Sequence, residues 1–295
     1  MAWPSPSWFV MTDPTNSLER ALVLLEAIEQ IPSGLTNAES SRMLRIPKSS
    51  CSYIMTRLKR KGYLVLDEDT GRYRIGLTPV VLAYGALRDM GFRSIGEPAL
   101  YKLASDTGLS TNIGLLERGR VLLVDRVESP RFVRGIVEAA DDAIPRVIPT
   151  GMPPVHRIRR RDERDIGREL PCDGSAIGNV LLAHLDEPDL LNLIKEYGLS
   201  RVTATKVSIN ALLVQLANIR KQGYAASYGE YEERLCAIAA PITDARGIAR
   251  GAVSIDGYSS EADWSDAGDL IELVKAAGRD ISRRARIRAD THSLS

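Results

Sequence analysis

The chain has little of what would mark it as a secreted, metal-bound or membrane protein. Its only cysteines are Cys51, Cys172 and Cys236, and its only histidines are His156, His184 and His292. An odd number of distant cysteines, with no CxxC and no Cys/His ligand spacing, excludes a disulfide framework and the common zinc patterns. No metal or other cofactor is expected, and a reducing, cytoplasmic setting is the simplest expectation. No apolar run approaches the roughly 20 residues that a membrane helix needs. The first residues, MAWPSPSWFV, have no basic start and no continuous apolar stretch, so they do not read as a signal peptide. Residues 1–12 are expected to be a disordered tail, with Met11 as an alternative point of translation start. Net charge is only +1 over 295 residues, so any surface for a polyanion must be a local patch. What is present, 44% hydrophobic and 26% charged residues, is ordinary globular composition at a length that supports two cored domains.

Such a patch exists. From Arg42 to Lys61 the chain reads RMLRIPKSSCSYIMTRLKRK, with seven basic residues and no acid. Cys51, Ile54, Met55 and Leu58 fall at helical spacing and form the stripe that a surface helix buries. Ser49, Ser52, Tyr53, Thr56 and Arg60 fall on the opposite face, a set suited to phosphate oxygens and to base edges in a major groove. Upstream, Asn16 and Glu19 signal a helix start, and Leu18, Ala21, Leu22, Leu25 and Ile28 supply its apolar stripe. Pro32, Ser33 and Gly34 end that helix. Thr36 and Glu39 form a capping box for a short second helix that runs through Leu44. The turn Arg45-Ile46-Pro47 leads into the basic helix, where Lys48 and Ser49 would present backbone N–H groups outward and Ser50 is a further candidate DNA contact. Gly62 stops it, and Tyr63–Leu66 with Arg72–Ile75 reads as a two-stranded wing carrying Arg72 and Arg74. Three helices and a wing in this order predict a winged helix-turn-helix over residues 13–78, with Arg57 and Arg60 among its phosphate or base contacts.

Leu77–Met90 is expected to form a linker helix, residues 79–93, whose apolar stripe either packs on its own domain or meets a dimer partner. Beyond it a helix over Ile95–Thr107 leads into strand-like runs at Thr111–Leu116, Arg120–Val127 and Arg131–Val137. Helices follow at Ser175–His184, Glu187–Tyr197 and Ile209–Gln222. Strands are expected at Tyr224–Tyr228, Ala237–Thr243 and Ala249–Ile255, with a hairpin turn at 244–247. A last helix over Ser265–Arg286 completes an α+β domain, residues 94–288, with a largely antiparallel sheet; residues 289–295 remain as a tail.

Several short blocks in this order resemble the IclR family of transcription regulators, from Ser17 to about Arg288. They are SLERALVLLE (17–26), IPKSS (46–50), GYL (62–64) and TGRYRIG (70–76), then residues 107–113, LVDRVES (123–129), SAIG (175–178), residues 223–225, AAPI (239–242) and residues 254–257. The resemblance implies that the second domain is a GAF-like effector-binding domain. It also implies that the protein is a homodimer or a dimer of dimers (a homotetramer), and that a small molecule controls its hold on double-stranded operator DNA. Carried over position by position, the effector pocket maps to Ala176, Ile177, Ser227, Ala237, Ser254 and Asp256. The expected activity is repression of a catabolic operon, relieved by a metabolite, with activation as the alternative sign.

This chain departs from the family pattern. Asn179 stands where Lys commonly follows the glycine, Asp173 where His is common, and Ala237 where Cys is common. Cys236, one place earlier in a strand, would face the other way. About twenty residues, Pro149 to Arg168, resemble an insertion. Asp256 puts a carboxylate where a small hydroxyl is more frequent. If it lies in the pocket it needs a donor, either an arginine of the wall or a ligand such as an amide, hydrazide, amine or polyol. Otherwise it is a strand-end turn residue facing water. A catalytic reading would join Cys172 or Cys236 to one of the histidines, and a metal-sensor reading would cluster them, but no motif does either.

Overall fold

A computed structural model describes residues 16–90, 92–129, 166–198 and 209–292. The expected N-terminal tail, the strand at 131–137 and most of the 149–168 segment lie outside the described residues. The chain divides into two compact units, Met1–Asp89 and Met90–Ser295.

In the first unit, α1 (Ser17–Glu29) starts where expected, because the Asn16 side chain accepts from the N–H groups of Leu18 and Glu19, both at 3.0 Å. The buried face of α1 matches the expected stripe in part, since Ile28 is buried and Ala21 and Leu25 pack against the same core. Leu24, Ala27 and Ile28 are buried, whereas Leu18 and Leu22 are 70% and 51% exposed. Helix α2 (Asn37–Leu44) has its capping box: the Thr36 hydroxyl accepts from Glu39 N–H at 3.2 Å, and the Glu39 carboxylate accepts from Thr36 N–H at 2.8 Å. Arg45 ends α2 in the left-handed region at φ 53°, and Pro47 opens α3 (Lys48–Arg60). Cys51, Ile54 and Met55 of α3 are buried, with Leu58 packed against the same core, as the periodicity required.

The wing is β2 (Leu64–Asp67) and β3 (Arg72–Ile75), antiparallel with Leu64 opposite Ile75. A two-residue strand, β1 (Leu35–Thr36), adds to the outer edge of β3 and was not anticipated. Helix α4 (Thr78–Met90) belongs almost wholly to this unit, and Val80, Val81, Leu82 and Tyr84 are all more than half exposed.

The second unit is built on an antiparallel sheet of order β6-β5-β4-β9-β8-β7. Its strands are β4 (Ser110–Glu117), β5 (Arg120–Val127), β6 (Glu169–Pro171), β7 (Ala225–Tyr228), β8 (Leu235–Thr243) and β9 (Ala249–Tyr258). Strand β6 was not anticipated; β7 starts one residue later than expected, β8 starts two residues earlier and β9 ends three residues later. Helices α5 (Phe92–Thr107) and α9 (Gly268–His292) pack against each other and against the sheet. Helix α9 runs past the expected end at Arg286 and takes in most of the residues expected to form a tail, so His292 is helical. Helices α6 (Ala176–Ala183) and α8 (Ile209–Gln222) pack together over β7, β8 and β9, and α7 (Glu187–Tyr197) joins their core through Leu190. Every residue of α6 is buried. Gly178 permits that position, because a Cβ there would run into the backbone of Cys172.

Candidate functional site

Two surfaces carry the chemistry, one in each unit. On α3, Ser49, Ser52, Tyr53, Thr56, Arg57 and Arg60 line a shallow concavity, and all six are exposed. No side chain caps the first turn of α3, since Pro47 is the preceding residue. The N–H groups of Lys48, Ser49 and Ser50 therefore point outward at the positive end of a 13-residue helix, an arrangement that favours an anion. The Arg57 guanidinium lies over the Tyr53 ring, 4.9 Å from its centroid.

Of the two wing arginines, Arg72 is placed differently from the expectation. Arg72 is engaged with its own domain: it donates to the Gly34 carbonyl at 2.8 Å and forks onto both oxygens of Glu39 at 3.1 Å. It locks β3 to the capping box of α2 and is not presented to a ligand. Arg74 pairs with Asp67 at 2.9 Å but remains half exposed. The Glu39 carboxyl is held below its ordinary value, first by the backbone and side chain of Thr36 and then by Arg72.

In the second unit, cross-strand register assembles the other site. Ser227 of β7 pairs with Ala237 of β8, Ala237 with Asp256 of β9, and Asp256 with Ser110 of β4. The next row on the same face runs Ala239, Ser254, Asn112, and Asn112 pairs with Arg126 of β5. The floor these rows form, with the start of α6 above it, bounds a cavity of about 410 Å³. All six positions carried over from the family line it. Cys236 is buried outside this lining, as the two-residue strand period requires.

Asp256 is a wall residue with a side chain 19% exposed, not a turn residue facing water. Its donors are Arg126, 3.0 Å from Oδ1, and Asn112, whose Nδ2 donates to the same oxygen. Arg126 also forks onto Glu128, with Nε 2.9 Å from Oε1. Ser110 Oγ donates to Glu128 at 3.1 Å and accepts from Ser129 N–H at 3.0 Å. Also in the lining, Arg168 lies over Tyr231 and donates to its hydroxyl at 3.1 Å. Asn112, Arg126 and Glu128 were not singled out in the sequence. A signal existed: Ser110 and Asn112 are polar residues two apart in β4, which sets both on one face, and Arg126 near the end of β5 has Glu128 two residues on.

The catalytic reading finds no support in these surroundings. Burial, and then the nearby Asp173, push the Cys172 thiol up to about 11, so it is a poor nucleophile at neutral pH. The Cys236 thiol is likewise raised by burial. His184 ends α6 with Nδ1 2.8 Å from the Val180 carbonyl, a structural contact. Among the described residues no group of His, Cys, Asp and Glu could hold a metal ion, and no helix is long and apolar enough to cross a membrane.

Comparison with known proteins decides what these surfaces belong to. Residues 17–68 match the IclR helix-turn-helix domain, and residues 155–283 match the bacterial transcriptional regulator IclR C-terminal domain. The chain is an IclR-family transcriptional regulator. It is 27% identical over 269 residues to the HTH-type transcriptional regulator XynR of Escherichia coli, covering 91% of this chain and 96% of that protein. It is 24% identical over 282 residues to the acetate operon repressor of Salmonella typhimurium, covering 95% and 93%. In fold it is similar to an IclR homolog from Microbacterium hydrocarbonoxydans complexed with 4-hydroxybenzoate, with a TM-score of 0.67, 20% identity and coverage of 91% and 98%. As an IclR-family member the chain is a DNA-binding regulator and not an enzyme, with an effector-binding C-terminal domain.

Proposed function

We propose that the chain is a homodimeric, cytoplasmic repressor of a catabolic operon that a small metabolite releases from DNA. The observation that carries this reading is the outward face of α3, where exposed serines, Tyr53, Thr56, Arg57 and Arg60 adjoin an uncapped helix start. Two such helices would read neighbouring half-sites of a partly palindromic operator. The exposed apolar residues Leu18 and Leu22 on α1 and Val80, Val81, Leu82 and Tyr84 on α4 support self-association, because large apolar side chains gathered on an exposed helix favour burial against a partner. In this reading the effector occupies the cavity over Ser227, Ala237, Ser254 and Asp256. It shifts the protein between two arrangements of the DNA-binding pair, which requires different affinities for the two.

Sequencing the genomic fragments that co-purify with the protein tests the reading. The expected result is enrichment of one partly palindromic sequence upstream of a gene cluster for catabolism, and loss of that binding when the pathway's early metabolite is added. Recovery of fragments at their input frequencies would overturn it. Tighter binding with metabolite, at a site placed to recruit polymerase, would favour activation instead.

A further inference from the structure

We propose that the cavity selects a small molecule whose recognised head donates hydrogen bonds, as a carboxamide or an ammonium does, over one that presents a bare carboxylate. The proposal rests on reading this cavity as the effector site, and it concerns the chemistry of what enters.

The argument starts from the donor count of Arg126. A guanidinium has five N–H donors. In the wall Nε donates to Glu128 Oε1 at 2.9 Å, and Nη2 reaches Glu128 Oε2 at 3.3 Å and Asp256 Oδ2 at 3.5 Å. Nη1 donates to Asp256 Oδ1 at 3.0 Å and to Asn112 Oδ1 at 2.6 Å. Five donors meet five acceptors of the protein itself. Arg126, the guanidinium beside Asp256, is therefore already engaged and does not offer a fork to an incoming carboxylate.

Charge points the same way. Among the described residues one guanidinium lies between two carboxylates, and the side chains of Arg126, Glu128 and Asp256 are only 17%, 12% and 19% exposed, so water screens their charges weakly. Across the whole described lining there are four carboxylates, Glu128, Glu232, Asp256 and Glu261, against two guanidiniums, Arg126 and Arg168. The start of α6 opposes this with the helix's positive end at Ala176 and Ile177, equivalent to roughly half a unit charge. Half a charge does not offset the excess of carboxylates over guanidiniums in the described lining, which therefore disfavours a bare carboxylate. The same helix start does accommodate a neutral acceptor. A carboxamide satisfies both walls, with its N–H groups toward Asp256 and its carbonyl toward α6, while Leu123, Leu170, Ile177 and Ala237 offer an apolar surface for the body of the ligand.

The test uses matched ligands that share a body and differ in head: benzoate, benzamide and benzylamine, then butyrate, butyramide and butylamine. Binding is measured by calorimetry and thermal shift on the full chain, on Asp256→Asn and on Ala237→Phe, with Ser227→Leu as a second cavity-filling change. The wild type is expected to bind amide and amine at least tenfold more tightly than the matched acid. Asp256→Asn, which takes one carboxylate from Arg126, is expected to shift that ratio at least tenfold toward the acid. Acids binding as tightly as amides, with all binding lost in Ala237→Phe or Ser227→Leu, would overturn the selectivity and leave the site reading standing. Binding that persists at full strength in both filled variants would overturn the site reading. Failure of all six ligands to bind the wild type at millimolar concentration would overturn the proposed ligand class.

Discussion

Replacing Arg72 and Arg60 by glutamine separates the stability of the DNA-binding unit from its affinity for DNA. Arg72 makes three hydrogen bonds, one to Gly34 and two to Glu39, with both side chains of the ion pair one-third exposed. A charge-assisted bond contributes about 1.5–3 kcal/mol when protected. Partial exposure discounts this, so Arg72→Gln is expected to cost roughly 1–2 kcal/mol in total. For a domain of this size that lowers Tm by about 4–15 °C. Arg60 is exposed on the outward face of α3 and its loss is expected to leave Tm unchanged. It should instead weaken binding to every duplex and flatten the slope of log affinity against log salt by about 0.9 per lost phosphate contact, roughly double that for a dimer on two half-sites. Calorimetric melting of the full chain gives the first quantity. Fluorescence anisotropy with a mixed-sequence duplex, titrated over a range of potassium chloride concentrations, gives the second. A flattened salt slope in Arg72→Gln at wild-type Tm, together with an unchanged slope in Arg60→Gln, would refute the assignment of the two arginines.

Glu39 is depressed below its ordinary 4.5, so its contribution is complete above that pH and drains away as pH falls through the lower folded-state value. Acid melting of wild type should therefore steepen below about pH 4.5 relative to Glu39→Gln, and parallel acid profiles would contradict this. Gly178→Ala forces a methyl group against the Cys172 backbone and is expected to destabilise the second unit by about 1–3 kcal/mol, read by urea denaturation. Asn179 is 1% exposed, and neither of its side-chain amide atoms has a hydrogen-bond partner among the described residues. Removing an unmatched buried amide recovers up to about 1–3 kcal/mol, so Asn179→Leu should raise the melting temperature; a fall would mean that the amide is matched in solution.

The parts of the fold that were legible are those set by neighbours in sequence. Asn16, Thr36 with Glu39, Pro47 and Gly62 act within a turn or two of themselves, and each marks an observed helix boundary. Strand β1 was not legible because two residues become a strand only when Tyr73 and Arg72 arrive beside them. Leu18 and Leu22 were misassigned to the buried face of α1 for a related reason. The run Leu22-Val23-Leu24-Leu25 puts apolar residues on more than one arc, and periodicity alone cannot say which arc meets the wing and which stays outside. In the cavity the six carried-over positions were legible through the family resemblance. The Arg126 cluster was not, since it joins residues more than a hundred positions apart through the pairing of β4 with both β5 and β9.

The stack of Arg57 on Tyr53 bears on how quickly, and not only how tightly, this protein settles on a sequence. A free arginine surrenders about 2 kcal/mol of rotamer entropy when it is fixed on a base. Here the ring restricts that side chain before any duplex arrives, so part of the ordering loss belongs to folding and is absent from the encounter. Tyr53→Leu would return that freedom to the unbound state. The resulting loss of affinity should then be shared between slower final locking and faster release, whereas truncating Arg57 itself should act mainly through release.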